Sequence, residues 1–266
     1  MSRPTSSSLK HASSSGRWLT RQRSDPFVRA RAGPEGDSGT LYRSRSSFKL
    51  ESLAKKYPCL LPKGGIVIDL GAAPGGWSQV AAPKVGSRGH VIALDLLPIL
   101  PIRRNVTIVQ GDFLSSSVQE QLSAAIAISA ANRLESPSSA VDQVSAQEAD
   151  ISGPRVDSIL SDMMANMSGI RARDIEASLE LCETALNFSR GRLKTGLTKP
   201  PDQDVEGKKM LTVKDYKGNM LLKFFQHPLL IDFKKTQLDP VFEKVVVEKP
   251  KESRSGESVS FTRIIG

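Results

Sequence analysis

Short apolar runs alternate along this chain with stretches of helical period. The run IVIDL, residues 66–70, is mostly β-branched or leucine and passes straight into GAAPGGW and then SQVAAPKV. That pattern predicts a buried strand turning tightly into a helix N-terminus. HVIALD (90–95), VTIVQGD (106–112) and VDSILSD (156–162) repeat the strand pattern, the last ending in Asp162. Upstream, Phe48, Leu50, Leu53 and Ala54 recur at helical spacing and stop before Pro58. Downstream, Ile175, Leu179, Cys182 and Leu186, with Leu193 as an extension, predict a helix packed on the sheet. GNMLLKFFQ (218–226) reads as a strongly apolar strand broken only by Lys223, and VFEKVVVEKP and SVSFTRIIG read as two closing strands that form an antiparallel pair. Strand and helix alternate, so the fold class is α/β.

Two polar stretches interrupt this rhythm. Residues 129–154 are rich in Ser and Ala and poor in large apolar side chains, and residues 190–218 carry Lys194, Lys199, Lys208, Lys209, Lys214 and Lys217 among Gly and Pro. The first is predicted as an inserted surface loop or a frayed helix extension and the second as an inserted loop, which length alone penalises only slowly; the lysines of the second either sit in solvent or touch RNA phosphates. Residues 1–38 contain no acid before Asp25 but hold Arg3, Lys10, Arg17, Arg21 and Arg23. An Arg- and Ser-rich, acid-poor N-terminus without an apolar h-region has the composition of an organelle transit peptide rather than a secretion signal. A basic tail that touches RNA in the cytosol or nucleus is the alternative. The folded domain is then expected over 39–266.

The net charge of +9 and pI near 9.6 favour a polyanionic partner. The two cysteines, Cys59 and Cys182, lack metal-ligand spacing, so neither a zinc site nor a disulfide framework is implied. No apolar run reaches the roughly 18 residues of a membrane span.

The candidate chemistry gathers at predicted strand ends. Gly71, Gly75 and Gly76 allow close approach of a ligand to the backbone, but their spacing misses the G-x-G-x-x-G dinucleotide pattern. Bulky Trp77 at the helix start suits a ligand without phosphates. That disfavours a nicotinamide-linked oxidoreductase. Asp95, ending the next strand, is placed to accept hydrogen bonds from ribose hydroxyls, and Asp112 and Phe113 emerge beside it, where capping of the following helix is the competing use for Asp112. Lys223 is costly inside an apolar strand unless its amine meets a carboxylate such as Asp162 or the strand lies at a sheet edge. Lys49 borders the apolar stripe of the first helix, at a pocket rim, and Arg43 and Arg45 ahead of it are candidate RNA contacts. Two lysines and an aspartate converging on a nucleotide pocket suit activation of a sugar hydroxyl.

These residues fall into ordered blocks: YRSRSSFKL (42–50), DLGAAPGGWSQ (69–79), DLLP (95–98), QGDF (110–113), SDMMANMSG (161–169) and LKFFQ (222–226). In that order they resemble the FtsJ/RrmJ-like family of ribose 2'-O-methyltransferases, and DPFV (25–28) resembles its mitochondrial branch, which modifies large-subunit ribosomal RNA. The resemblance implies one Rossmann-like methyltransferase domain: a mostly parallel seven-stranded sheet with an antiparallel C-terminal strand and helices on both faces. It implies S-adenosyl-L-methionine as cofactor, no metal, a mitochondrial matrix location, and ribosomal RNA as partner, within a large-subunit assembly particle, with a uridine of the peptidyl-transferase region as target. It carries a Lys-Asp-Lys-Glu catalytic set onto Lys49, Asp162 and Lys223, with Lys223 as base, and carries cofactor contacts onto Gly75, Trp77, Asp95, Asp112 and Asp162. Two departures stand out. Met164 and Ala165 replace the family's Ala-Pro after the fourth strand. Val259 occupies the register of the catalytic Glu, while Glu257, two residues earlier and on the same strand face, is the candidate replacement. A non-catalytic RNA-binding assembly factor and a cytosolic or nucleolar tRNA or rRNA methyltransferase are the other readings.

Overall fold

A computed structural model describes residues 41–134, 154–165, 168–194, 218–225, 227–242, 244–253 and 259–265. The 1–38 segment, most of both expected insertions, Asn166 and Glu257 lie outside the described residues.

The apolar runs become strands β1 (Ile66–Leu70), β2 (His90–Asp95), β3 (Val106–Gln110), β4 (Ser158–Ser161) and β5 (Asn219–Phe225), and the chain closes with β6 (Lys244–Glu248) and β7 (Val259–Ile265). They form one seven-stranded sheet of order β3-β2-β1-β4-β5-β7-β6. Pairing is parallel from β3 through β5, and β7 runs antiparallel to both β5 and β6. The two closing strands therefore pair as expected, but the later one occupies the inner place.

Helices α1 (Ser46–Lys56), α2 (Gly76–Val85), α3 (Ser116–Leu134) and α4 (Arg171–Ser189) cover the sheet, and a short α5 (Pro228–Phe233) continues into a π-helical turn at Lys234–Leu238. Alternate residues of one strand serve opposite faces. Ile66, Ile68 and Leu70 pack with Leu122 and Ile126 of α3 and Cys182 and Leu186 of α4. Val67 packs with Leu50 and Leu53 of α1 and Trp77 and Val80 of α2. Coverage of both faces is why β1 reads as a continuous apolar run rather than an alternating one.

Several sequence expectations change here. Of the two readings of residues 129–154, the helix extension holds for 129–134: they complete α3, with Ser129 buried and its Oγ donating to the Ala125 carbonyl. The second insertion begins later than Arg190. Leu193 is not part of the helix, which ends at Ser189; it forms a bridge with Val156. Lys194 is no solvent or phosphate contact either, because its Nζ lies 2.6 Å from Asp157 Oδ1. β4 stops at Ser161, one residue short of Asp162. β5 lies between β4 and β7, so Lys223 is not an edge-strand lysine.

At the N-terminal edge of the parallel strands, the buried Asp157 carboxylate collects three donors. It accepts the Ile66 N–H at 2.8 Å, Lys194 Nζ at 2.6 Å and Arg133 Nη1 at 3.4 Å. One side chain thus ties β1, α3 and the segment after α4 together. Asp157→Ala leaves two cations and a buried N–H without their acceptor, and is expected to lower the unfolding free energy by about 3 kcal/mol, measured by urea denaturation.

Candidate active site

The opposite, C-terminal edge of the sheet holds the candidate chemistry. As β1 ends, the Gly71 and Ala72 N–H groups donate to the Leu94 carbonyl at 2.9 and 3.0 Å, so the loop leaves the sheet still bonded to β2. Gly71 has φ +74°, and a Cβ there would stand 2.8 Å from Met163 Cα; the loop after β1 touches the loop after β4. Gly75, at φ +105°, starts α2 from the left-handed region that favours glycine. A Cβ on Gly76 would collide with Ser44 Oγ. The three glycines thus bring α1, the β1 loop and the β4 loop closer together than side chains would permit.

Asp95 organises the next turn. Its Oδ2 accepts the Ala73 N–H and its Oδ1 the Leu97 N–H, both at 2.8 Å. Each oxygen retains a further lone pair for a ligand hydroxyl. Asp112 Oδ1 accepts the Leu114 N–H at 3.0 Å, so it shapes the turn ahead of α3 as well as sitting at the end of β3.

Two expected cofactor contacts turn inward. Phe113 is 4% exposed, with its ring edge-on to Phe188 at 5.4 Å. Trp77 is 2% exposed, and its indole N–H donates to the Ser46 carbonyl at 2.9 Å. Trp77 is the second residue of α2 and points at α1, so its bulk locks two helices together and does not block the helix start. Both side chains are packing groups, which leaves their backbones for a ligand.

Arg43 also differs from expectation. Its guanidinium donates to the carbonyls of Leu100 and Pro101, each at 2.6 Å, and of Pro74 at 3.4 Å. It clamps the β1 and β2 loops instead of standing clear for RNA. Arg45 occupies the position before α1 and is half-buried.

The reactive pair lies where β4 and β5 end. Ser161 pairs with Leu222, which sets Asp162 beside Lys223. Lys223 Nζ donates to Asp162 Oδ1 at 2.7 Å and to the Asp162 carbonyl at 2.9 Å. Their side chains are 14% and 16% exposed, low enough to limit screening by water yet still open to a substrate. Beneath Lys223, Cys182 Sγ contacts its carbonyl at 3.6 Å; burial pushes that thiol up to about 12, so it is a packing group. Lys49 is 6% exposed on α1, deeper than the pocket rim expected for it.

Sequence reading passed over other residues of this region. Asp69, inside β1, is fully buried; its Oδ2 accepts Ser78 Oγ–H at 2.6 Å and its Oδ1 has no partner among the described residues. The available signal was an acid within an apolar run. Asp174 accepts hydrogen bonds from the Ser168 N–H and hydroxyl and the Gly169 N–H, holding the far side of the β4 loop; the Ser168 bonds keep its carboxyl below the usual range. Among the described residues no group of His, Cys, Asp and Glu is arranged to hold a metal ion. A cationic ligand carrying ribose fits what is present: a glycine-lined loop, an acceptor carboxylate at Asp95, and a buried carboxyl oxygen at Asp69 that is unpaired among the described residues.

The clamp makes a prediction. Arg43→Gln is expected to lower thermal stability by a few degrees, about 1 kcal/mol of lost bonds, and to leave the salt dependence of RNA binding unchanged. A salt slope reduced by about one unit would instead identify a phosphate contact.

The FtsJ-like methyltransferase family matches residues 42–263 of the chain. "Ribosomal RNA large subunit methyltransferase E" of Azoarcus sp. (strain BH72) is 35% identical over 246 residues, covering 92% of this chain and 93% of that protein. The protein of the same name from Chromohalobacter salexigens is 37% identical over 242 residues, covering 91% and 89%. A crystal structure of a Plasmodium falciparum protein assigned as a ribosomal RNA methyltransferase has the same fold, with TM-score 0.56, 22% identity and coverage of 84% of this chain and 97% of that one. With its ordered motifs, its parallel sheet and its paired Asp162 and Lys223, the chain belongs to the FtsJ-like methyltransferase family.

Proposed function

We propose that this protein transfers a methyl group from S-adenosylmethionine to the 2'-oxygen of a ribose in large-subunit ribosomal RNA, a uridine of the mitochondrial ribosome. The observation that carries the chemistry is the Lys223–Asp162 pair. Asp162 accepts from Lys223 at both its side-chain oxygen and its carbonyl, which fixes the direction of the amine; once deprotonated, the amine keeps two N–H bonds for these acceptors and turns its lone pair to a substrate hydroxyl.

The donor supplies a methyl group on a sulfonium, an electrophile whose leaving sulfur is neutral. Lys223 takes the 2'-hydroxyl proton as the oxygen forms its new bond to carbon, and later returns that proton to solvent. Asp162 orients the amine and stabilises it once charged. Asp95 accepts the donor's ribose hydroxyls, and the 71–76 loop receives the donor against bare backbone. Lys49 adds positive charge from α1 toward the developing oxyanion. Glu257 completes the set as the replacement for the family's Glu.

The choice of ribosomal RNA is supported by the names of the bacterial relatives and by the net charge of +9. The choice of the mitochondrial matrix is supported by the acid-poor, Arg- and Ser-rich residues 1–38. Recognition of that RNA within an assembling large subunit is part of the same proposal.

Lys223→Ala is expected to slow methyl transfer by about 10²- to 10⁴-fold while donor binding, followed by calorimetry, is retained. Full activity in that variant would remove Lys223 as the base. Mapping of ribose methylation in cells lacking this protein is expected to show one site lost from mitochondrial large-subunit RNA. Loss from tRNA or cytosolic ribosomal RNA would overturn the target and the compartment.

A further inference from the structure

Asp69 is the buried acid that the methyl-transfer chemistry leaves unused. It is 0% exposed and stands one residue before the end of β1. Its Oδ2 is satisfied by Ser78 at 2.6 Å, whereas Oδ1 is buried with no hydrogen-bond partner among the described residues. A buried ionised carboxylate with an unpaired oxygen is strongly unfavourable, and binding a proton relieves it.

The parallel register surrounds Asp69 with further acid. It pairs with Ala93 of β2 and Leu160 of β4, and Asp95 and Asp162 lie two residues beyond those partners. Burial pushes the Asp69 carboxyl up to about 7; the Ser78 bond opposes this, and the charges of Asp162 and then Asp95 reinforce it. Around it, β2 also carries His90, α2 carries Lys84, α3 carries Glu120 and Arg133, and α1, which packs on α2, carries the buried Lys49 with Glu51, Lys55 and Lys56; Lys223 of β5 is engaged with Asp162. Helix α2 offers the Ser78 hydroxyl and no acid in its first turn.

We propose that Asp69 couples donor binding to proton release: the arriving sulfonium charge drives the Asp69 carboxyl to give its proton to solvent, and the neutral thioether product lets the proton return. This rests on the methyl-donor reading above. The exchange favours donor over spent product as pH rises through neutrality, because only the donor carries the charge that compensates an ionised Asp69.

The test is calorimetric titration of the full chain with S-adenosylmethionine, from about pH 6 to about pH 8, in buffers of different ionisation heat. Wild type is expected to release protons on binding and to bind about tenfold more tightly at the upper pH than at the lower. S-adenosylhomocysteine is expected to release fewer. Asp69→Asn is expected to lose that release and most of the pH dependence; ionisation of the ligand's own amine is common to both proteins and cancels in the comparison. Infrared difference spectra of wild type, which need no variant, are expected to show loss of a protonated carboxyl band when the donor binds. Equal proton release by wild type and Asp69→Asn, or an unchanged carboxyl band, overturns the coupling and leaves the donor reading standing. Absence of donor binding at every pH overturns both.

Discussion

Parallel pairing of β2, β1, β4 and β5 places Asp95, Asp69, Asp162 and Lys223 at one edge of a single sheet. The four residues come from segments far apart in the chain, and none is brought there by a local motif. Register does it. A parallel strand delivers its C-terminal residue to the same edge as its neighbours, and the ends of those strands form the crevice in which open α/β sheets bind ligands. The glycines of the 71–76 loop then let α1 and the β4 loop close over that edge.

The two edges treat buried acid in opposite ways. At the N-terminal edge, Asp157 receives a backbone N–H and two cations, and acts as a structural tie. At the C-terminal edge, Asp69 receives one hydroxyl and keeps an oxygen unpaired among the described residues, under the charge of two other carboxyls. Satisfied polar groups stabilise a fold, while unsatisfied ones mark where it awaits a ligand or a proton. The Lys223–Asp162 pair lies between these cases. It is bonded well enough to be oriented and open enough to react.

Much of this was legible beforehand. β1 and β2 follow their apolar runs closely because a strand covered on both faces must be apolar throughout, while β3, at the sheet edge, keeps only Val109 buried. The Lys223–Asp162 contact was also foreseeable, since a lysine in an interior strand requires an acceptor. Side-chain direction was not. Trp77 and Phe113 stand in the right loops but turn into the core, and Arg43 spends its guanidinium on backbone carbonyls. Composition likewise left residues 129–134 open between loop and helix extension, and in the structure they form the last turns of α3.

The sequence by itself determined the alternation of strand and helix, the glycine loop, the acids and lysines at strand ends, and the family. Those are properties of local pattern and order along the chain. The tertiary structure alone decided which of these side chains meet. Insertion of β7 between β5 and β6 made β5 an interior strand and Lys223 a half-buried side chain with Asp162 as its acceptor. Packing of α2 across β1 enclosed Asp69 with the Ser78 hydroxyl as its hydrogen-bond donor among the described residues. Burial and electrostatic coupling depend on neighbours distant in sequence, so the charge state of the pocket belongs to the fold and not to any one segment.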